Sequence, residues 1–364
     1  MKKLIALLFL TTACTLSAQA DKPLKPGFDK EEYKQLLRAF SCWGDSTIYK
    51  GIPESTVYKT IYRSKIMGME NQWELYENHT HSVICLRGTA SNKVSWMANF
   101  YAAMIPAVGQ LQLNDTLKFD YHFADNPRAA VHVGWALSSA YLLTDILPKV
   151  KAQYDKGFRA FMIFGHSQGA ALGFFITAQL KYYQKTGVLP KDIVFKTYSS
   201  AAPKPGNLYF AYDYEASTQM GWSFSVVNAA DWVPEVPVTI QTVEDFNKLN
   251  PFTEAKKKLR KLPFPQNKLM LFMHGQLTRP NKRALKKYQL YLGKIASRMV
   301  EKNVPGYKSP KDFYDSNNYM RCGSMIILNP DESYRQKFPD DESKIFQHHS
   351  LLAYLYLLDK LPNP

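Results

Sequence analysis

Cysteine is scarce in this chain, with four among 364 residues. One of them, Cys14, lies in the N-terminal leader. The remaining three, Cys42, Cys85 and Cys322, are too few for a disulfide framework, which excludes the stapled small-domain class. Cys85 lies in the apolar run Ser82-Val-Ile-Cys-Leu86 and reads as an inert core thiol. Cys42 and Cys322 stay as one candidate bridge. No cysteines and histidines have metal-ligand spacing, so neither a metal nor an organic cofactor is expected. No stretch reaches the roughly 18 apolar residues that a membrane span needs. Internal repeats, low-complexity tracts and nucleic-acid-binding motifs are missing, and nucleic acid is not expected as a partner. Acidic residues are missing from one long segment: residues 255–300 hold 13 Lys or Arg and no Asp or Glu.

That last absence partitions the charge. Setting aside Lys2, Lys3 and those thirteen, the other 31 basic residues equal the 31 acidic ones. The whole positive excess of the mature chain belongs to one segment, and the body is neutral. Within it Leu285, Tyr288, Leu292, Ile295 and Met299 fall at helical spacing, with lysines and arginines around them. This reads either as an element for an anionic membrane surface or as a cap helix packed on the core by that face.

Met1 to Ala20 has the form of a secretion signal. Lys2 and Lys3 precede the apolar run Leu4 to Leu10, and Ala18-Gln19-Ala20 offers a small-residue cleavage site. Export to the periplasm or the extracellular space is expected, with lipid anchoring at Cys14 as the alternative. Residues 21–364 are expected to form a single domain, with 242–319 a basic insertion or cap within it.

Along the chain, a helix is expected near Tyr33 to Phe40, and strands over Thr56–Lys65, Trp73–Tyr76 and Ser82–Arg87. Helical spacing runs from Met97 to Pro106, and Asp120–Arg128 reads as a polar loop. A long helix over Ala136–Tyr154 leads to the apolar strand Phe161–Phe164. Further strands are expected over Asp192–Tyr198, Trp222–Val227 and Met325–Leu328, and a last helix over Ile345–Leu358. Alternating strands and helices predict an α/β protein with a mostly parallel central sheet flanked by helices.

After the strand at Phe161 comes Gly165-His166-Ser167-Gln168-Gly169, a G-x-S-x-G sequence, followed by helix formers to Tyr183. Strand, sharp turn and helix are the context in which this sequence presents a serine nucleophile. A serine hydroxyl needs a histidine to accept its proton and an acid to orient that histidine. Asp231 follows the strand ending at Val227, and His348 or His349 follows the last strand. Serine, acid and histidine in this order, each after a strand, is the arrangement of the α/β-hydrolase fold.

These residues resemble the class 3 lipase family. Ile84-Cys-Leu-Arg-Gly-Thr89 with Trp96, Val131-His-Val-Gly134 and Gly165-His-Ser-Gln-Gly169 are similar to its strand before the oxyanion loop, its pre-helix segment and its elbow. Ser200-Ala-Ala-Pro-Lys-Pro-Gly206, Val226-Val-Asn228 with Asp231, Cys322-Gly-Ser324 and His349-Ser-Leu-Leu-Ala-Tyr354 resemble the rest of its pattern. The resemblance covers about Trp73–Val238 and Met320–Leu358. It implies a secreted carboxylester hydrolase acting on an acyl ester or lipid, with Ser167, Asp231 and His349 as triad. The family's histidine precedes a tyrosine by five positions, which selects His349 over His348. It also implies an oxyanion hole at Gln168 and Thr89. Two departures stand out: the long basic stretch between Asp231 and His349, and Gln in place of the commoner Leu at position 168. A non-catalytic envelope- or polyanion-binding protein on this scaffold, and a thioesterase or amidase, are the alternative readings.

Overall fold

The computed structural model describes residues 24–43 and 51–362. The secretion-signal reading of residues 1–20 and the anchoring alternative at Cys14 lie outside the described residues. Seven strands form the central sheet: β1 (Lys59–Arg63), β2 (Trp73–Glu77), β3 (Ser82–Leu86), β4 (Ala160–His166), β5 (Val194–Ser200), β6 (Ser223–Asn228) and β7 (Ser324–Leu328). They lie in the sheet in chain order. The first two pairings are antiparallel and the four from β3 to β7 are parallel. This is the mostly parallel sheet that the strand–helix alternation predicts.

Helices cover both faces, and the strands show why. On β4, Phe161 and Ile163 point into one core with α3 (Val133–Asp155) and α4 (Gln168–Lys185), while Met162 and Phe164 point into the other. That second core is closed by α1 (Lys30–Phe40) and α10 (Leu351–Lys360), through Tyr33, Leu37, Phe40, Tyr354 and Leu358. A strand buried on both faces reads as a continuous apolar run, as Phe161–Phe164 does. Cys85 is fully buried, and burial pushes its thiol up, so it is a core group. Cys42 and Cys322 are both free thiols, one exposed and one buried, and form no bridge.

Several local expectations are corrected. The helix expected over Met97–Pro106 is α2 (Lys93–Phe100), which stops where Tyr101 leaves helical geometry at ψ 69°. Met104–Pro106 instead pairs with Ala130–His132 in a small second sheet. The expected polar loop over Asp120–Arg128 begins in a strand, Lys118–His122, paired with Val108–Gln112. Its period of two is carried by buried Phe119 and Tyr121 between exposed Lys118 and Asp120, a signal that the polar residues mask. The last helix starts later than expected, because Ser350 caps it by accepting from the Ala353 N–H. His348 and His349 therefore lie in the turn before it.

After α5 (Leu208–Thr218), the basic segment contributes α6 (Ala255–Arg260), α7 (Gln266–Gln289) and α8 (Ala296–Asn303) between β6 and β7, and α9 (Glu332–Lys337) follows β7. The predicted apolar face divides. Leu285 is buried and Tyr288 and Leu292 are half-buried, whereas Ile295 and Met299 are exposed. A π-helical turn over Leu290–Ile295 joins α7 to α8, and its wider winding rotates the later residues off the face.

Candidate active site

Ser167 stands at the junction of β4 and α4 with φ 61° and ψ −129°, a backbone conformation that few non-glycine residues adopt. It is the N-cap of α4, yet its side chain caps nothing, so the hydroxyl is left for other partners. The flanking glycines are required by space. A Cβ on Gly165 would lie 2.3 Å from the Gly169 carbonyl carbon, and one on Gly169 would lie 2.2 Å from the Leu86 carbonyl oxygen. Both contacts are with backbone, which cannot rotate away.

Asp231 and His349 meet as the chain order predicts. His349 Nδ1 lies 2.7 Å from Asp231 Oδ2, and both side chains are almost fully buried. The carboxylate accepts, so the histidine proton sits on Nδ1 and Nε2 is left with its lone pair. Asp231 also accepts from the Tyr354 hydroxyl at 2.8 Å and from the Val233 N–H at 3.0 Å. Burial first, then the Asp231 charge, hold the Tyr354 hydroxyl well above its ordinary range, so it stays a donor. His348 is committed elsewhere: its ring nitrogens lie 2.7 Å from Tyr334 Oη and 2.9 Å from Asp340 Oδ1. Asn228 ties the two loops together by donating to the His348 carbonyl oxygen.

His166, read in the sequence only as part of the elbow, connects the serine and histidine loops. Its Nε2 lies 2.9 Å from the His349 carbonyl oxygen, an acceptor, so the proton sits on Nε2. Nδ1 then accepts from the Ser200 hydroxyl at 2.9 Å, and Tyr33 donates to Ser200 at 2.6 Å. Burial pushes the His166 imidazole well down, and the neighbouring His349 pushes it the same way. A neutral His166 fixes residue 349 beside the residue preceding Ser167. No hydrogen bond joins the Ser167 hydroxyl to the His349 ring; such bonds commonly tighten only once substrate is bound.

Thr89 and Gln168 are in direct contact. The Thr89 hydroxyl donates to Gln168 Oε1 at 2.9 Å and accepts from Asn99 Nδ2 at 3.1 Å. Trp135 Nε1 donates to Asn99 Oδ1 at 3.0 Å, which fixes the Asn99 amide. His132 stacks on Trp135 with ring centroids 3.7 Å apart. Burial pushes the His132 imidazole down to about 3, so it too stays neutral. Gln168 is the first residue of α4, so its backbone N–H has no acceptor within the helix. Its side-chain Nε2 is buried without a partner among the described residues. Asn99 and Trp135 carry no sequence motif, and only their contacts mark them as supports for Thr89.

Ser167, Gln168 and Thr89 open onto one cavity of ≈ 240 Å³. Apart from Asn99 its other walls are mainly apolar, with Trp96 and Phe100 from α2, Trp232 and Val233 beside Asp231, Phe346 and Leu292 among them. Phe346 bridges Trp96 and Trp232 and approaches the His349 ring at 5.9 Å. No helix of the described residues is long and apolar enough to cross a membrane. No cluster of metal-ligating side chains occurs among the described residues.

Residues 83–241 match the family model described as lipase (class 3). A secreted mono- and diacylglycerol lipase of Malassezia globosa is 33% identical over 99 residues, covering 26% of this chain and 30% of its own. Another from the same organism is 30% identical over 142 residues, covering 38% of this chain and 42% of its own. The chain thus spans about a third of the length of the curated relatives it matches. Among solved structures, the Lip2 lipase of Yarrowia lipolytica aligns with a TM-score of 0.43 at 16% identity, covering 59% of this chain and 77% of its own. A Rhizomucor miehei lipase propeptide complex aligns with a TM-score of 0.39 at 18% identity, covering 58% of this chain and 65% of its own.

Proposed function

We propose that this chain, whose residues 83–241 carry the class 3 lipase pattern, is an exported carboxylester hydrolase that works through an acyl-enzyme on Ser167. The observation that carries the reading is the buried Asp231–His349 pair, held against the elbow of Ser167 by His166. In this reading the Ser167 hydroxyl attacks the ester carbonyl carbon as its proton passes to His349 Nε2. Asp231 holds the imidazole through Nδ1 and stabilises the imidazolium. The carbonyl oxygen becomes an oxyanion near the Gln168 backbone N–H and Thr89, each donor worth about 3 kcal/mol of barrier. Collapse breaks the bond to the alcohol oxygen, which takes the proton from His349. Water then attacks the acyl-enzyme by the same route in reverse roles and releases the acid.

The apolar walls beside Ser167 favour an acyl chain over a charged leaving group. Export is supported by the leader pattern at residues 1–20 and by relatives named as secreted. The segment 242–319 is assigned as a cap, since Tyr288 and Leu292 form part of the cavity wall.

The test is a panel of p-nitrophenyl esters of increasing chain length. The wild-type chain is expected to hydrolyse short esters, and Ser167→Ala to lose at least about 10⁴-fold in kcat with an unchanged circular dichroism spectrum. Equal rates for the two proteins would refute the reading.

A further inference from the structure

Among the described residues, a large share of the exposed apolar side chains lies in the basic segment. Leu277 is 75% exposed, Phe272 63%, Leu269 60% and, at the α6–α7 turn, Phe264 79%. On α7, Leu269, Phe272, Met273 and Leu277 follow helical spacing and form one stripe. The opposite side of that helix, at Leu271, His274, Gly275 and Thr278, is half-buried or buried. The stripe therefore faces away from the body, and no described residue packs over it.

The charge around the stripe has one sign. Among the described residues, only Lys257 and Lys282 of the segment's thirteen cations form ion pairs, with Glu254 and Glu244. The others, including Lys256, Lys258, Lys261 and Lys268, are exposed. A second copy of this chain is a poor occupant, because two such faces would repel. A soluble polyanion satisfies the lysines but leaves the phenylalanine and leucines in water. An anionic bilayer satisfies both, since acyl chains take the apolar stripe while lipid phosphates meet the lysines.

The other end of α7 reaches the cavity. Tyr288 lies on its wall, eleven residues or about 16 Å along the helix from Leu277. Phe100, Tyr291 and Met299, also exposed, surround a second, shallow cleft next to that wall.

We propose that the α6–α7 hairpin docks this protein on anionic phospholipid membranes. The stripe Leu269–Phe272–Met273–Leu277 enters the headgroup boundary and the surrounding lysines engage phosphates. Delivery of a lipid ester to Ser167 is the part that rests on the hydrolase reading; the docking itself does not.

Co-sedimentation of the full chain with vesicles tests this, with Ser167→Ala in the background to spare the lipid. Phosphatidylcholine vesicles are compared with vesicles containing phosphatidylglycerol, at low salt and at about 0.15 M salt. At least about tenfold stronger binding to the anionic vesicles is expected, weakening as salt rises. Gln at Lys256, Lys258, Lys261 and Lys268 together is expected to remove that preference. Phe272→Ser with Leu277→Ser is expected to weaken anionic binding about tenfold or more while leaving affinity for dextran sulfate intact. Equal binding to neutral and anionic vesicles, unchanged binding of both variants, or capture by dextran sulfate without vesicle binding would each overturn the proposal. The same variants carrying native Ser167 are expected to hydrolyse a soluble short ester at the wild-type rate. Anionic docking in a chain that hydrolyses no ester would leave this proposal standing and remove the hydrolase reading instead.

Discussion

Two adjacent histidines show how finely the site is divided. His349 is bonded to Asp231 and His348 to Tyr334 and Asp340. His349→Ala is expected to lower kcat about 10⁴-fold or more, and His348→Ala to leave it within a few-fold; comparable losses in both would mean the assignment of the base is wrong. Thr89 and Gln168 differ in what they offer. To reach the oxyanion the Thr89 hydroxyl must turn its one proton away from Gln168 Oε1; if it does, Thr89→Val is expected to lower kcat about 10²-fold with KM little changed, and a loss below about threefold would place the oxyanion on backbone donors alone. Gln168→Leu keeps the backbone N–H and removes the unpartnered Nε2. It also removes the acceptor of the Thr89 hydroxyl, so kcat is expected to stay within about tenfold and the stability read from a urea midpoint to move by less than about 1 kcal/mol either way. Residue types and chain order were enough to single out Ser167, Asp231 and the histidine pair, because their chemistry restricts what can replace them. Asn99 and Trp135 were not readable, and Tyr354 and His166 were read only as motif positions, because all four act through contacts between segments far apart in the chain.

The elbow is the element on which the site depends, and its tolerance is set by backbone against backbone. Gly169→Ala would drive a Cβ into the Leu86 carbonyl, at 2.2 Å. A loss of about 2–3 kcal/mol in chemical denaturation is expected, with hydrolysis falling as β3 and α4 part. A substitution without effect would show that this helix sits further from the sheet. Central strands were legible because burial on both faces makes them nearly continuous apolar runs, as in β3 and β4. The mixed-polarity hairpin at Lys118–His122 was not, and neither was the end of α2. In both, the deciding partner is another strand rather than the local pattern. The face running from Leu285 to Met299 failed for a different reason, since a π-turn breaks the period that the spacing assumed.

Taken as one body, the molecule holds two neutral, buried histidines next to its site, and this couples fold stability to pH. His132 and His166 both lie below the ordinary value of 6.5. Below that pH the unfolded chain takes up protons that the folded chain does not, so stability falls as pH drops through 6.5 and is level above it. At pH 5 His132 alone contributes about 2 kcal/mol of loss, and His166 acts in the same direction. The urea midpoint is expected to be lower at pH 5 than at pH 7.5; an unchanged midpoint would mean that these rings are solvated. The most direct measurement of the account is reaction of the intact protein with a fluorophosphonate, followed by peptide mass mapping. A single adduct on Ser167, lost in His349→Ala, is the expected result. Absence of any adduct on the folded chain, or labelling at another residue with Ser167 untouched, would contradict it.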